Sequence, residues 1–275
     1  MKLCLKLPEP PTLTLYRAAN PEATWDEMRD DPFHGGQKAA RDVKRTLIRG
    51  QRCLCAFCEC RLAEDCSDAA IDTRSSHQRV EHFHPKADTN RPPNWNLHWP
   101  NLWAVCLGGT TSPNNPKRNL HCDAHKDRQI TCGALPSSPE GWILSPDQVP
   151  AFPSLFGFAP DGTPEPHSAN CAAFTVTNNH YSTTAKLVEE TIVHLNLGNF
   201  DLNERRRIAK ARLQKRIESD RKLSPGAPAA SVMLTLARRL FASDPASPWN
   251  EFFTLIRFQM GDVAEQHLLA IQFKG

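Results

Sequence analysis

The chain contains 275 residues, 40% of them hydrophobic and 23% charged, which is typical of a globular protein that buries a core. It has no apolar run near the roughly 18 residues of a membrane span, and prolines interrupt its first residues, so neither a membrane segment nor a signal peptide is predicted. A net charge of +3 excludes a strongly basic field over the whole molecule, and together these features predict a cytoplasmic protein without membrane contact.

The first part of the chain is predicted to alternate helices with irregular segments. Residues 1–20 contain several prolines and are predicted to be extended. Apolar residues recur at helical spacing from Thr24, and again from Gln37 to Ile48, where Gly50 is the expected helix end. Because the second of these helices leads directly into a cysteine-rich turn, we expect it to deliver the chain into that turn.

A short strand is predicted between two loops. Residues 66–79 are small and polar, Val80–His84 has a strand pattern, and Pro85 ends it. A polar loop follows at 86–100, and the turn-rich residues 107–119 have the composition of an insertion. We expect packing in a small core, and not stacking on bases, for three tryptophans of this region: Trp95, Trp99 and Trp103.

The chain changes character after residue 135. Residues 136–166 contain eight prolines, which exclude long helices and indicate short strands such as Trp142–Leu144 and Phe156–Phe158. Beyond residue 180 the apolar spacing is helical, and five helices are expected, at about Ala185–Leu195, Leu202–Leu223, Ala230–Phe241, Ser247–Gly261 and Asp262–Phe273. The predicted division is into three segments: 1–135, 136–180 and 181–275.

Four of the ten cysteines have the arrangement of a structural zinc site. Cys55 and Cys58 form a Cys-x-x-Cys turn, and Cys106 and Cys122 supply a second pair. Four thiolates leave zinc without an open position, so this ion should hold the fold and take no part in catalysis. In a reducing compartment we expect reduced, partly buried thiols at five of the other positions: Cys53, Cys60, Cys66, Cys132 and Cys171.

A second metal is predicted at Glu81 and Asp123, because carboxylate oxygens are the ligands that Mg²⁺ and Mn²⁺ prefer. A neutral His82 beside them can take a proton from an attacking water. Since consecutive strand residues point to opposite faces, Glu81 and His82 share a site only if the strand ends or bulges there. Hydrogen-bonded roles without catalysis are expected for five isolated histidines: His77, His98, His167, His180 and His194.

Together these motifs resemble the zinc-bearing HNH endonucleases, in particular the HNH subunit of the Septu anti-phage system. The resemblance rests most firmly on Cys-Ala-Phe-Cys at 55–58, Val-Glu-His-Phe-His-Pro at 80–85, Trp-Pro-Asn-Leu-Trp at 99–103 and His-Cys-Asp at 121–123. Weaker matches extend it over most of the chain. Closely similar proteins accompany some retrons.

The resemblance implies an α+β fold, with a zinc-stapled ββα-metal (HNH) nuclease core followed by a mainly α-helical C-terminal domain. Glu81 matches the acidic metal ligand and His82 the general base. Asn101 matches the asparagine that braces the loop carrying the base. Asp123 stands where these proteins usually carry an asparagine or histidine ligand, and an aspartate is chemically adequate there.

The spacing of the second cysteine pair departs from the family. Fifteen residues separate Cys106 from Cys122, where many HNH proteins have two. This difference leaves three alternatives to Cys122 as the fourth zinc ligand: His121, His125 and Cys132. His84 is a further candidate near the catalytic site.

The resemblance also implies partners, namely DNA, an ABC/SMC-type ATPase, and a retron reverse transcriptase with its DNA. The basic run Arg205–Arg216 can meet phosphates or an acidic partner surface, and we expect the partner. The apolar cluster of Phe252, Phe253 and Ile256 fits a docking face and an internal core equally well. The predicted function is a metal-dependent HNH endonuclease that cleaves DNA in anti-phage defence. The alternative is a non-catalytic zinc module that binds nucleic acid or scaffolds a complex.

Overall fold

The computed structural model of the chain describes residues 1–88, 93–111, 119–244 and 247–275. In these ranges helices predominate, and two small antiparallel sheets accompany them, in agreement with the predicted α+β class. Most of the predicted insertion at 107–119, and residues 89–92 of the predicted loop, lie outside the described residues. Within the described ranges, no helix combines the length and apolarity that a bilayer crossing requires.

The described part of the chain has its first strand after four helices: α1 (Pro11–Ala19), α2 (Trp25–Asp30), α3 (Gly36–Gly50) and α4 (Asp68–Thr73). Thr24 and Glu27 form a capping box that starts α2. α3 buries a face of Ala39, Val43 and Leu47, whose spacing of four residues is that of successive helical turns. The predictions of helices in these two regions are confirmed.

Two helices lie where irregular structure was predicted. α1 occupies part of the supposedly extended residues 1–20, because its proline, Pro11, stands at the first helical position, where a missing N–H costs nothing. α4 lies within the supposed loop 66–79, because Ser67 caps it by accepting the N–H of Ala70.

A hairpin and one helix position the site. β1 (Gln78–His82) pairs antiparallel with β2 (Leu102–Cys106), so that Glu81 lies opposite Trp103 and His82 opposite Leu102. α5 (Cys122–Thr131) packs against β2. The strand begins and ends two residues earlier than the predicted Val80–His84, because the chain turns away after His82.

The second half contains a small sheet and six helices among the described residues. These elements are β3 (Phe156–Phe158), β4 (Pro164–Pro166), α6 (Ser168–Ala173), α7 (Thr184–His194), α8 (Phe200–Leu223), α9 (Ala229–Leu240), α10 (Phe253–Met260) and α11 (Asp262–Ala270). The strand predicted at Phe156–Phe158 is confirmed. The one predicted at Trp142–Leu144 is wrong, since this segment forms only an isolated bridge between Glu140 and Ile143.

The predicted helix start at Ser247 is also wrong. Trp249 donates its N–H to the carbonyl oxygen of Arg52, and Phe252 donates its N–H to the carbonyl oxygen of Glu59. Phe252 adopts a φ of 56°, outside the helical region. Long-range backbone bonds therefore replace the first turns of the expected helix, and α10 begins only at Phe253.

Two clusters of buried side chains form the core. The larger one draws residues from all three predicted segments, for example Leu47, Leu144 and Leu187. The smaller one joins α8, α9, α10 and α11. The division at 135 and 180 remains a prediction, although the larger core crosses both positions. Side chains buried within these cores include Trp99, Trp103, Phe252, Phe253 and Ile256, so the last three are internal and offer no docking face.

Candidate active site

Four thiols converge between the turn that follows α3, the end of β2 and the start of α5. The Sγ atoms of Cys55, Cys58, Cys106 and Cys122 all lie within 4.8 Å of one another. The closest pairs are 3.7 Å, 3.8 Å and 3.9 Å apart. A tetrahedral zinc ion with bonds of about 2.3 Å requires sulfur atoms about 3.8 Å apart. The four predicted thiols therefore fit one tetrahedral zinc ion.

The three alternatives to Cys122 lie outside this group. Nε2 of His121 is 3.6 Å from Cys106 Sγ, while Nδ1 of His121 hydrogen-bonds to the carbonyl oxygen of Asn119. His125 donates from Nδ1 to the carbonyl oxygen of His194. Cys132 is exposed just beyond α5. Cys122 is the residue that completes the group of four.

One expectation about the other cysteines is wrong. Cys53 and Cys66 are joined in a disulfide, with their Cα atoms 6.0 Å apart. The chain reverses between them, since the carbonyl oxygen of Cys53 accepts the N–H of Leu62, and this reversal brings Cys66 alongside. Cys60 and Cys171 are free and buried as expected, whereas Cys132 is free but exposed.

Glu81, His82 and Asp123 line one cleft of about 680 Å³. β1 ends at His82, so the alternation of side chains that would separate Glu81 from His82 does not continue past this residue. α2 and α3 also line the cleft, through residues such as Trp25 and Arg41. A carboxylate and an imidazole therefore line one concave site, although both residues belong to β1.

His82 is held in a single tautomer. Its Nε2 lies 3.0 Å from the carbonyl oxygen of Asn96, which can only accept, so Nε2 carries the proton and Nδ1 has a free lone pair. Burial lowers the pKa of His82 to about 4, so the ring is neutral at physiological pH. Trp25 meets the ring edge-on at a centroid distance of 5.5 Å. The result is an oriented neutral imidazole, the form that a general base requires.

A fully buried lysine, Lys126, contacts Glu81 and the backbone of His82. Nζ of Lys126 lies 2.7 Å from Oε1 of Glu81 and donates to the carbonyl oxygens of His82 and Phe83 at 3.2 Å and 3.1 Å. Asp123 Oδ2 lies 3.3 Å from Arg79 Nη1. Asp123 Oδ1 is buried and has no hydrogen-bond donor among the described residues.

Both carboxylates of the site have pKa values above their ordinary range, mainly because they are buried. Burial raises the pKa of Glu81 to about 8, and the nearby Asp123 and Asp127 add to this effect against the attraction of Lys126. Burial likewise raises the pKa of Asp123 to about 6, although Arg79 opposes it. An added cation would stabilise both ionised carboxylates. Two buried carboxylates, one of them with the unpaired oxygen Asp123 Oδ1, fit a divalent metal ion held by Glu81 and Asp123.

Asn101 and His84 lie beside the catalytic residues. The Asn101 side chain accepts the N–H of His84 at 2.7 Å and donates to the carbonyl oxygens of His84 and Trp95 at 2.9 Å and 3.0 Å. It therefore ties together the segment that follows His82. The ring nitrogens of His84 lie 2.9 Å from Glu140 and 3.0 Å from Asp88. Because carboxylates occupy both nitrogens, His84 has no free nitrogen to accept a proton from water.

Sequence analysis assigned no role to two residues of the site, Lys126 and Asn96. Lys126 follows Asp123 by three residues, a spacing that places both on one face of α5 and that could have revealed the pair. Asn96 acts through its backbone oxygen, so its residue type gave no signal. His125 points toward α7 and takes no part in the cleft.

No model of a known protein family matches the chain. A protein of Escherichia coli named "Retron Ec83 putative HNH endonuclease" is 32% identical to it over 213 residues, which cover 75% of this chain and 78% of that protein. The likeness thus includes most of both proteins, and it confirms the predicted relation to HNH nucleases. The link to Septu remains a prediction. The chain belongs to the HNH endonuclease family.

Proposed function

We propose that this nuclease is a metal-dependent DNA endonuclease whose active site is the cleft lined by Glu81, His82 and Asp123. The observation that carries the proposal is the orientation of His82, which is neutral, fixed through Nε2 and unprotonated at Nδ1. A non-catalytic zinc module would have no use for such a histidine beside a buried, unpaired carboxylate oxygen. The enzyme is therefore favoured over the scaffold.

His82 acts as the general base. Its Nδ1 takes a proton from the water that attacks the phosphodiester, while the hydrogen bond to Asn96 keeps the ring in place. The negative phosphate, once bound, favours the imidazolium that forms. Lys126 holds the backbone carbonyl of His82, and Asn101 holds that of His84, two residues further on. A Mg²⁺ or Mn²⁺ ion held by Glu81 and Asp123 would supply positive charge for the phosphate and the leaving oxygen.

The metal requirement is tested by nicking of supercoiled plasmid. The purified chain should nick DNA with Mg²⁺ or Mn²⁺ and stop when EDTA removes the metal. Asp123→Asn should require a higher metal concentration and cleave several orders of magnitude more slowly, because it removes a charged ligand. Asp65→Asn, which changes an exposed aspartate outside the cleft, serves as control. Cleavage that persists in EDTA would contradict the proposal.

The biological setting belongs to the same proposal. The nuclease acts in the cytoplasm in anti-phage defence and is controlled by an ABC/SMC-type ATPase, with a retron reverse transcriptase and its DNA as further partners. The support is the resemblance to the Septu nuclease and the retron in the name of the E. coli relative. Co-purification with the ATPase encoded beside the gene tests the partnership. A nuclease that remains alone when both are co-expressed would contradict it.

A further inference from the structure

Phe33 is the most exposed large hydrophobic side chain that the structure describes. It is 87% exposed, ahead of Phe200 at 78%. A single apolar side chain on a surface is common and by itself indicates nothing. The conformation and position of the loop around Phe33 distinguish it from Phe200.

The loop that carries Phe33 is fixed by its own hydrogen bonds. Oδ1 of Asp31 accepts the N–H groups of Phe33 and His34 at 2.9 Å and 3.0 Å. The carbonyl oxygen of Asp31 accepts the N–H of Gln37 at 2.9 Å. Gly36 packs so closely that a Cβ there would lie 2.3 Å from the carbonyl oxygen of Met28. The ring is therefore held out into solvent by an ordered loop.

This loop stands at the edge of the active-site cleft. It joins α2 to α3, and Arg29 before it and Gln37 after it both line the cleft. The start of α2 is tied to the catalytic segment, since the Trp25 N–H donates to Oδ1 of Asn96 at 3.2 Å. Phe33 lies four residues from each of the cleft-lining residues Arg29 and Gln37, so it stands at the rim of the cleft, where a nucleotide flanking a phosphate at His82 would pass.

The side of the cleft formed by α2 and α3, its wall, carries charges that suit the phosphates of a nucleic acid. Asp26 and Asp30 are each paired with Arg29, and Asp26 also with Lys86 at 2.7 Å, so both carboxylates are compensated. Arg41 of α3 lines the cleft, is exposed and forms no ion pair with any residue that the structure describes. The wall therefore offers an available guanidinium, and the loop at its rim carries an exposed aromatic ring.

We propose that Phe33 and Arg41 form a subsite for an unpaired nucleotide, with the base stacked on the Phe33 ring and a neighbouring phosphate bound by Arg41. This inference rests on the proposed nuclease function and narrows its substrate. Inside a duplex, adjacent bases cover both faces of each base, so only a single strand, a loop or a frayed end can present a free face to Phe33. The substrate class is then nucleic acid with an unstacked base beside the cleaved bond.

Binding measurements in a cleavage-deficient His82→Ala background test the subsite. Fluorescence anisotropy with a labelled single strand and with its duplex should show a selective effect of Phe33→Ala. Single-strand affinity should fall about ten- to a hundredfold, because stacking of one base contributes about 1–3 kcal/mol. Duplex affinity should stay within about twofold. Phe33→Trp should retain binding and lose fluorescence as the base stacks on it.

Two further variants distinguish base stacking on Phe33 from phosphate binding by Arg41, and from the effect of removing any exposed phenylalanine. Arg41→Gln should flatten the salt dependence of single-strand binding by about 0.7 per lost phosphate contact, whereas Phe33→Ala should leave that slope unchanged. Phe200→Ala, outside the cleft, is the matched control and should bind like the parent.

An unchanged single-strand affinity of Phe33→Ala, or an equal loss on single strand and duplex, would overturn the subsite. Because binding is measured without cleavage, the result is independent of the nuclease test. A chain that binds single strands through Phe33 but cleaves nothing would keep the subsite and refute the proposed function.

Discussion

The buried charge of Lys126 links two proposed catalytic residues, Glu81 and His82. A sequence shows only a lysine on a polar helix, yet the side chain is fully buried. It contacts both the proposed metal ligand Glu81 and the backbone of the proposed base His82. Burying an ammonium group is costly unless a partner compensates it. Its position therefore depends on Glu81, and the two residues form one unit.

We predict that Lys126→Met destabilises the metal-free protein by about 3–5 kcal/mol, because Glu81 is left buried without its partner. Urea unfolding measures the loss. The double variant Lys126→Met with Glu81→Gln should recover part of it, since no uncompensated charge remains. Lys186→Met, at an exposed lysine of α7, serves as control. A loss below about 1 kcal/mol for Lys126→Met would show that the buried pair contributes little.

Lys6 supplies a prediction about pH. Burial lowers the pKa of its ammonium group to about 7, from an unfolded value of 10.5. Between these two values the unfolded chain binds more protons than the folded one, so the contribution of Lys6 to stability rises with pH. Lys6→Met should flatten the rise in unfolding free energy from about pH 7 to pH 10. The same rise in parent and variant would contradict the assigned shift.

Among the elements, those whose signal is local could be predicted and those shaped by distant contacts could not. The helical spacing of α3 and the Cys-x-x-Cys spacing of Cys55 and Cys58 are read within a few residues of the chain. The segment before α10 is irregular because Arg52 and Glu59, far away in sequence, accept its N–H groups. The tautomer of His82 likewise depends on a backbone oxygen in a separate loop.

The four thiols of the proposed zinc site join the turn after α3 to β2 and α5, so loss of the ion should destabilise all three elements. Cys58→Ser should lower the zinc content from about one ion per chain and unfold the region around the hairpin, because structural zinc supplies folding free energy. Zinc analysis and far-ultraviolet circular dichroism measure both effects. Cys171→Ser, which changes a buried free thiol outside the group of four, is the control. A zinc-free protein with normal melting would contradict the assignment.

The basic helix α8 is less uniform than its sequence indicates. Arg206 is buried and donates to the carbonyl oxygen of Leu197 at 2.7 Å, so it belongs to the core. Arg205 pairs with Glu251. Arg212 and Lys215 are exposed and form no ion pair with residues that the structure describes. The surface available to an acidic partner or to phosphates is therefore smaller than the basic run Arg205–Arg216.

We predict that replacing Arg212 and Lys215 by glutamine weakens assembly with the ATPase and leaves DNA binding by the free chain unchanged. The expected reason is loss of charge complementarity at the rim of a protein interface. Size-exclusion chromatography and DNA titrations at several salt concentrations measure the two effects. A flatter salt dependence with intact assembly would assign these residues to phosphate contacts instead.

For the whole molecule, the family could be predicted from its metal-binding motifs, whereas the shape of the substrate site could not. The motifs lie in the hairpin and α5, but the opposite wall of the cleft comes from α2 and α3. Their sequence contains none of the metal-binding motifs. Only the fold brings Trp25 and Arg41 to the cleft that His82 also lines, and the proposed nucleotide subsite depends on this placement.

The cleavage rate of His82→Ala tests the account most directly. A general base typically contributes a factor of about 10² to 10⁴, so the variant should nick plasmid at least a hundredfold more slowly than the parent. Its zinc content and melting temperature should remain close to those of the parent. His180→Ala, which removes a histidine stacked on Trp142 away from the cleft, should cleave at the parent rate. Undiminished cleavage by folded His82→Ala would contradict the assigned active site.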